Sequence, residues 1–145
     1  MSSPHIARAE TDAEIAACFP VMVQLRPHLN ASDFVATVRR MMKEGFLLAR
    51  LSDDAGVVRA VAGYRFHEKL FSGRTLYVDD LVTDEASRSR GHGAALLQWL
   101  IAEARTAGCD VFELDSGVQR RDAHRFYFRE RMHVSSYHFV LPLKP

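Results

Sequence analysis

The spacing of apolar residues changes twice along the 145-residue chain. A short strand is expected over residues 4–9. Ile15, Ala16 and Phe19 then recur at helical spacing behind Thr11 and Asp12, either of which can cap the helix, with Glu14 in its first turn. Pro20 is expected to interrupt or restart this helix, because proline is tolerated in a first turn and not beyond it, and Pro27 ends the segment. Asn30 is a second cap, with Asp33 three residues on in the manner of a capping box. Phe34, Val35, Val38, Met41 and Met42 repeat at helical spacing, and Gly45 follows as a stop.

From Phe46 onward the chain reads as strands. Phe46 to Leu51, Val57 to Phe66 and Thr75 to Thr83 are separated by turns at residues 53–56 and at Ser72-Gly73, which describes an antiparallel meander. Helical spacing returns after Gly91 and Gly93, where Leu96, Leu97, Leu100, Ile101 and Ala104 share one face and Gly108 closes the helix. Val111, Phe112 and Leu114 form a short strand. A strand–helix–strand unit makes the strand at 75–83 and the strand at 111–115 parallel. A further helix is expected over about 121–130, with Ala123, Phe126 and Tyr127 on one face, and a closing strand over Ser135–Leu143. The predicted fold is α/β (α+β) and a single domain over residues 1–145. Its sheet is mixed and mostly antiparallel, with a parallel pair at its centre and about four helices.

Charge narrows the function. Nineteen Lys and Arg nearly cancel eighteen Asp and Glu, so no basic field marks the chain as a nucleic-acid binder. No apolar run approaches the ~20 residues that span a bilayer, and the N-terminus has no signal-peptide pattern. Cys18 and Cys109 fit neither a disulfide framework nor a metal spacing, which points to a reduced, cytoplasmic compartment. The histidines form no His-x-x-His or Glu-x-x-His pair, so no metal is expected.

One segment carries recognisable chemistry. Between the strand at 75–83 and the long helix lies Arg88-Ser89-Arg90-Gly91-His92-Gly93-Ala94. Glycines allow tight backbone geometry and close approach of a ligand. The helix start presents unpaired N–H groups and the positive end of its dipole. Together they make an anion site, and two arginines add charge suited to phosphate. The loop lacks the Gly-Lys-Ser/Thr of nucleotide triphosphatases and the third glycine and acid of dinucleotide folds.

The chain resembles the GNAT superfamily of N-acetyltransferases and looks like a small bacterial-type member. The match is to its Arg/Gln-x-x-Gly-x-Gly/Ala signature, here Arg88 to Gly93, and to an Ala-x-x-Phe-Tyr stretch, here Ala123 to Tyr127. Arg120 stands where the family often has Asn, and Arg131-Met132 where it often has Gly-Phe. The resemblance implies acetyl-CoA as co-substrate, with its pantetheine arm held between the splayed parallel strands by Leu81, Val82 and Thr83. Its pyrophosphate would lie on Arg88, Ser89, Arg90, Gly91, His92, Gly93 and Ala94, and Arg120 is also assigned to the cofactor.

Acetyl transfer to an amine requires a base for the ammonium and an acid for the departing thiolate. Asp79 and Asp80 are the expected bases. Asp79 is marginally favoured because strand alternation puts it on one face with Leu81 and Thr83, unless a bulge intervenes; salt bridges to Arg65 or Arg74 are the structural alternative. The resemblance assigns Tyr127 as the acid, with Phe126 turned to the core. Arg26, His28 and His67 are weaker substrate contacts, Arg26 toward a substrate carboxylate. Cys109 has no histidine beside it in sequence, which favours direct attack in a ternary complex over an acyl-cysteine. The expected acceptor is a primary amine on a small molecule. A protein N-terminus or lysine is the first alternative, and a non-catalytic acyl-CoA-binding regulatory module the second. A closing strand at 135–143 could also pair across a homodimer.

Overall fold

A computed structural model describes residues 4–145. Thr11 caps the first helix, α1 (Asp12–Leu25): its side chain accepts from the Glu14 amide, and the Glu14 carboxylate accepts from the Thr11 amide, a complete capping box. Pro20 lies inside α1 without ending it, contrary to expectation. The helix stops at Leu25, and Pro27 disfavours helical geometry for Arg26. Helix α2 (Ala31–Met42) starts after Asn30, whose side chain makes no capping bond, so the second capping box does not form.

Four strands precede the long helix: β1 (His5–Arg8), β2 (Leu47–Ser52), β3 (Val58–Lys69) and β4 (Gly73–Thr83). Helix α3 (His92–Thr106) returns the chain to β5 (Val111–Leu114), and α4 (Arg121–Arg129) follows. The sheet order is β1-β2-β3-β4-β5, antiparallel throughout except for the parallel β4–β5 pair. The chain divides into two compact units, Met1–Leu114 and Asp115–Pro145.

The first unit holds two apolar cores, one on each face of the sheet. Ile15, Cys18 and Met22 of α1 with Phe34 and Val38 of α2 pack over Leu48, Val61 and Val82. Leu96, Leu100 and Ala104 of α3 pack on the opposite face over Ala62, Tyr64, Leu76 and Val78. A buried Leu or Ile of this kind contributes roughly 1.5–3 kcal/mol by leaving water. In the second unit, Arg131 takes a left-handed φ of 67° just after α4, and the Met132 amide bonds the Tyr127 carbonyl at 3.0 Å. Arginine thus closes a helix with the geometry that glycine usually supplies.

The expected closing strand is not formed. Residues 135–143 belong to no ladder, and Tyr137, Phe139, Val140, Leu141 and Leu143 are exposed. The parallel pair consequently lies at the end of the sheet and not at its centre. An alternating apolar pattern makes a segment competent for a strand, but a strand requires a neighbour for its N–H and C=O groups.

Candidate active site

β4 changes face half-way along. The β3–β4 register pairs Tyr64 with Val78 and Gly63 with Asp80, so Asp79 is the extra residue of a β-bulge. Before the bulge, Leu76 and Val78 pack on the α3 face. After it, Val82 packs on the α1/α2 face and Leu81 on the α3 face. Strict alternation, which would have grouped Asp79 with Leu81 and Thr83, is overturned by this one residue. Asp80 instead shares the α1/α2 face with Val82.

The bulge also coincides with the end of the parallel ladder. β4 and β5 are paired from Thr75/Val111 to Val78/Leu114. Beyond that point, within the first unit, Asp80 to Thr83 pair with β3 alone. Alternate peptide groups along this stretch face away from β3 and can bond a ligand amide. Leu81 and Thr83 are half-buried there, and the Val82 side chain belongs to the core.

Each acid has an arginine. Arg65 donates to one Asp79 oxygen through Nε at 3.1 Å and Nη2 at 2.8 Å. Arg26 donates from Nε to Asp80 Oδ1 at 2.8 Å and from Nη2 to the Asp79 carbonyl at 3.0 Å. The Asp80 side chain is 14% exposed. Burial raises its pKa above the usual carboxylate range, and this outweighs the opposing pull of Arg26. Above Gly63 there is no room for a side chain: a Cβ would stand 2.5 Å from Asp80 Oδ2 and 2.6 Å from the Phe46 ring.

Asp80 opens onto a cavity of about 310 Å³ between α1, α2 and the sheet. Met22, Leu29, Phe34, Met41 and Leu48 form much of its apolar wall, while Arg26, His28 and Asp80 form its polar side. Arg26 and His28 therefore do reach a pocket, although Arg26 holds Asp80 rather than standing free for a substrate carboxylate. His67 does not join them. It lies on β3 opposite Thr75, four residues from Gly63 and near the Tyr77 ring.

The loop after β4 is tied down at its base. Gln24 of α1 donates to Asp84 Oδ1 at 2.9 Å and accepts from the Glu85 amide at 2.9 Å. Arg59 adds a second bond to Asp84 at 3.2 Å. Gln24 first, then Arg59, holds the Asp84 carboxyl below its ordinary pKa. Ser89 and Gly91 both have left-handed φ, 70° and 80°, and Gly91 is the N-cap of α3. The first amides of α3 at His92, Gly93 and Ala94 have no intrahelical acceptor. Arg88, Ser89 and Arg90 are exposed. Successive turn amides of this kind form a concave anion site. The loop thus fits a pyrophosphate in the charge and in the donors it offers.

Tyr127, in the second unit, is the buried residue of α4, and Phe126 beside it is half-buried, so the tyrosine is the more buried of the two. Burial raises the Tyr127 pKa, and Arg120 opposes that rise by charge and hydrogen bonding. Cys18 is buried and its thiol is pushed up to about 12, again by burial. Among the described residues no group of three His, Cys, Asp or Glu is placed to hold a metal ion, and no helix is long and apolar enough to cross a membrane. Gln24, Arg59, Gly63 and Asp84 were not marked by the sequence as site residues. A small residue in mid-strand, Gly63, was the one available signal.

Comparison with known proteins bears on the family and the fold. The model of the acetyltransferase (GNAT) family matches residues 10–133. The uncharacterized N-acetyltransferase YhdJ of Bacillus subtilis (strain 168) is 33% identical over 141 residues, 96% of this chain and 99% of that protein. The aminoalkylphosphonate N-acetyltransferase of Salmonella typhimurium is 33% identical over 97 residues, 67% of this chain and 61% of that protein. Among solved structures, aminoglycoside N-acetyltransferase AAC(6')-Iy in complex with CoA superposes with a TM-score of 0.83 at 11% identity, covering 99% of this chain and 98% of that one. At that identity the likeness concerns the fold alone. With the family model covering most of its length, the chain belongs to the GNAT family of acetyltransferases and is an acyltransferase.

Proposed function

We propose that the protein transfers acetyl from acetyl-CoA to a primary amine of a small molecule by direct attack in a ternary complex. The observation that carries this reading is the position of Asp80. It faces a largely apolar cavity, and it immediately precedes the stretch of β4 that lacks a β5 partner and leads to the anion loop.

When bound, acetyl-CoA supplies an activated thioester; the protein binds it, orients it and moves protons. The loop amides and Arg88 and Arg90 hold the pyrophosphate. The free edge of β4 at Leu81 to Thr83 holds the pantetheine arm, and an N–H there polarises the thioester carbonyl. Asp80 takes the proton of the acceptor ammonium, directly or through water, and the freed nitrogen attacks the carbonyl carbon. A carboxyl whose pKa is raised by burial is a better base near neutral pH than an exposed one. Asp79, bound twice by Arg65, is fixed in place and supports the bulge. Tyr127 is the acid for the departing thiolate. Burial keeps its phenol protonated, which that role needs. The modest cavity volume favours a small molecule over a peptide. Aminoalkylphosphonate acetylation by the relative in Salmonella is in keeping with a small amine.

Acetyl-CoA should raise the melting temperature of the protein. Gly91→Glu should abolish that rise, since it places a carboxylate at the anion loop and a side chain at φ 80°. A wild-type protein that acetyl-CoA fails to stabilise would remove the reading.

A further inference from the structure

We propose that the acceptor is a primary amine carried on an apolar alkyl or arylalkyl body. The inference rests on the reading above, and names the class of substrate for that same site. The volume, about 310 Å³, lies at the lower end of the roughly 300–1,000 Å³ of small-molecule pockets. Seven of its eleven lining residues are apolar: Met22, Leu29, Phe34, Val38, Met41, Phe46 and Leu48. Polar groups are confined to Thr37, His28 and the Arg26–Asp80 pair.

The polar side matches an amine better than an anion. The Arg26 guanidinium already donates to Asp80 at 2.8 Å and to the Asp79 carbonyl at 3.0 Å. A phosphonate or carboxylate body would share the Arg26 guanidinium with Asp80 and set a second negative charge beside that buried carboxyl, a costly arrangement. A sugar body would bring hydroxyls against methionine, leucine and phenylalanine with few partners to replace water. An alkyl or aryl body loses nothing polar on entry, and it leaves the nitrogen at the Asp80 end.

The test uses the full chain, acetyl-CoA and a thiol-release assay with propylamine through hexylamine, phenethylamine, glucosamine and 2-aminoethylphosphonate. Each added methylene should raise kcat/KM about fourfold, with hexylamine and phenethylamine well above the sugar and the phosphonate. Thr37→Trp fills the cavity from a half-buried position on α2. It should flatten the chain-length series while leaving stabilisation by acetyl-CoA unchanged. Met41→Gln, a change of similar volume, should reduce the slope as well. A flat series, or preference for glucosamine or aminoethylphosphonate, overturns the apolar class while leaving acetyl transfer intact. Should no amine release thiol, acetyl transfer to small amines fails instead. Hexylamine binding then decides the class: a thermal shift present in the wild type and lost in Thr37→Trp supports it, and no shift overturns it.

Discussion

At the scale of single residues, Asp79 and Gly63 set the site between them. The extra residue at the bulge turns Asp80 toward the α1/α2 face, and the missing side chain at Gly63 leaves room for its carboxylate. Gly63→Ala would put a methyl 2.5 Å from Asp80 Oδ2 and 2.6 Å from the Phe46 ring. Because Asp80 is the proposed base and small displacements of such a group are expensive, kcat should fall roughly 10- to 100-fold. The melting-temperature shift with acetyl-CoA should persist, since the anion loop is elsewhere. An unchanged kcat would show that Asp80 is not held by this contact. The sequence displayed the acid pair but not which acid faces the cavity. A bulge is a matter of register between two strands, and no pattern within β4 alone announces it. Arg26 was legible as a site residue for a different reason than the one it has. It was expected to meet a substrate carboxylate, and it holds Asp80.

At the scale of elements, caps and breakers were legible where their partners are local. Thr11 and Glu14 satisfy each other within one turn, and the box forms. Glu14 is held at about 2, below its ordinary 4.5, first by the Thr11 amide, then by that of Glu10, with Arg50 adding a charge. A depressed carboxyl adds stability that is present above its unfolded pKa and lost as pH falls through the folded value. The melting temperature should therefore drop as pH falls from about 4.5 toward about 2. Glu14→Gln should flatten that part of the profile. Parallel curves for the two proteins would contradict the assignment. Pro20 and residues 135–143 were misread because tertiary context decides them. Packing keeps α1 continuous past its proline, with Ile15, Cys18, Val21 and Met22 all buried. The closing strand was inferred from an apolar pattern that says nothing about a pairing edge.

At the scale of the molecule, the order of elements was readable because each is coded locally. The family model matches residues 10–133, a range that takes in every element from α1 to α4. The cavity was not readable. Its walls come from Met22 to Asp80, four elements that only the folded sheet brings together. The proposed function rests on the run from Asp80 through the stretch of β4 that β5 does not pair to Gly91. The most direct test is the rate of thiol release from acetyl-CoA with a small primary amine, compared between wild type and Asp80→Asn. The account predicts turnover with N-acetylated amine as product, a loss of about 10²–10⁴-fold in kcat in the variant, and unchanged acetyl-CoA affinity. Absence of turnover in the wild type, or an Asp80→Asn rate equal to it, would contradict the account.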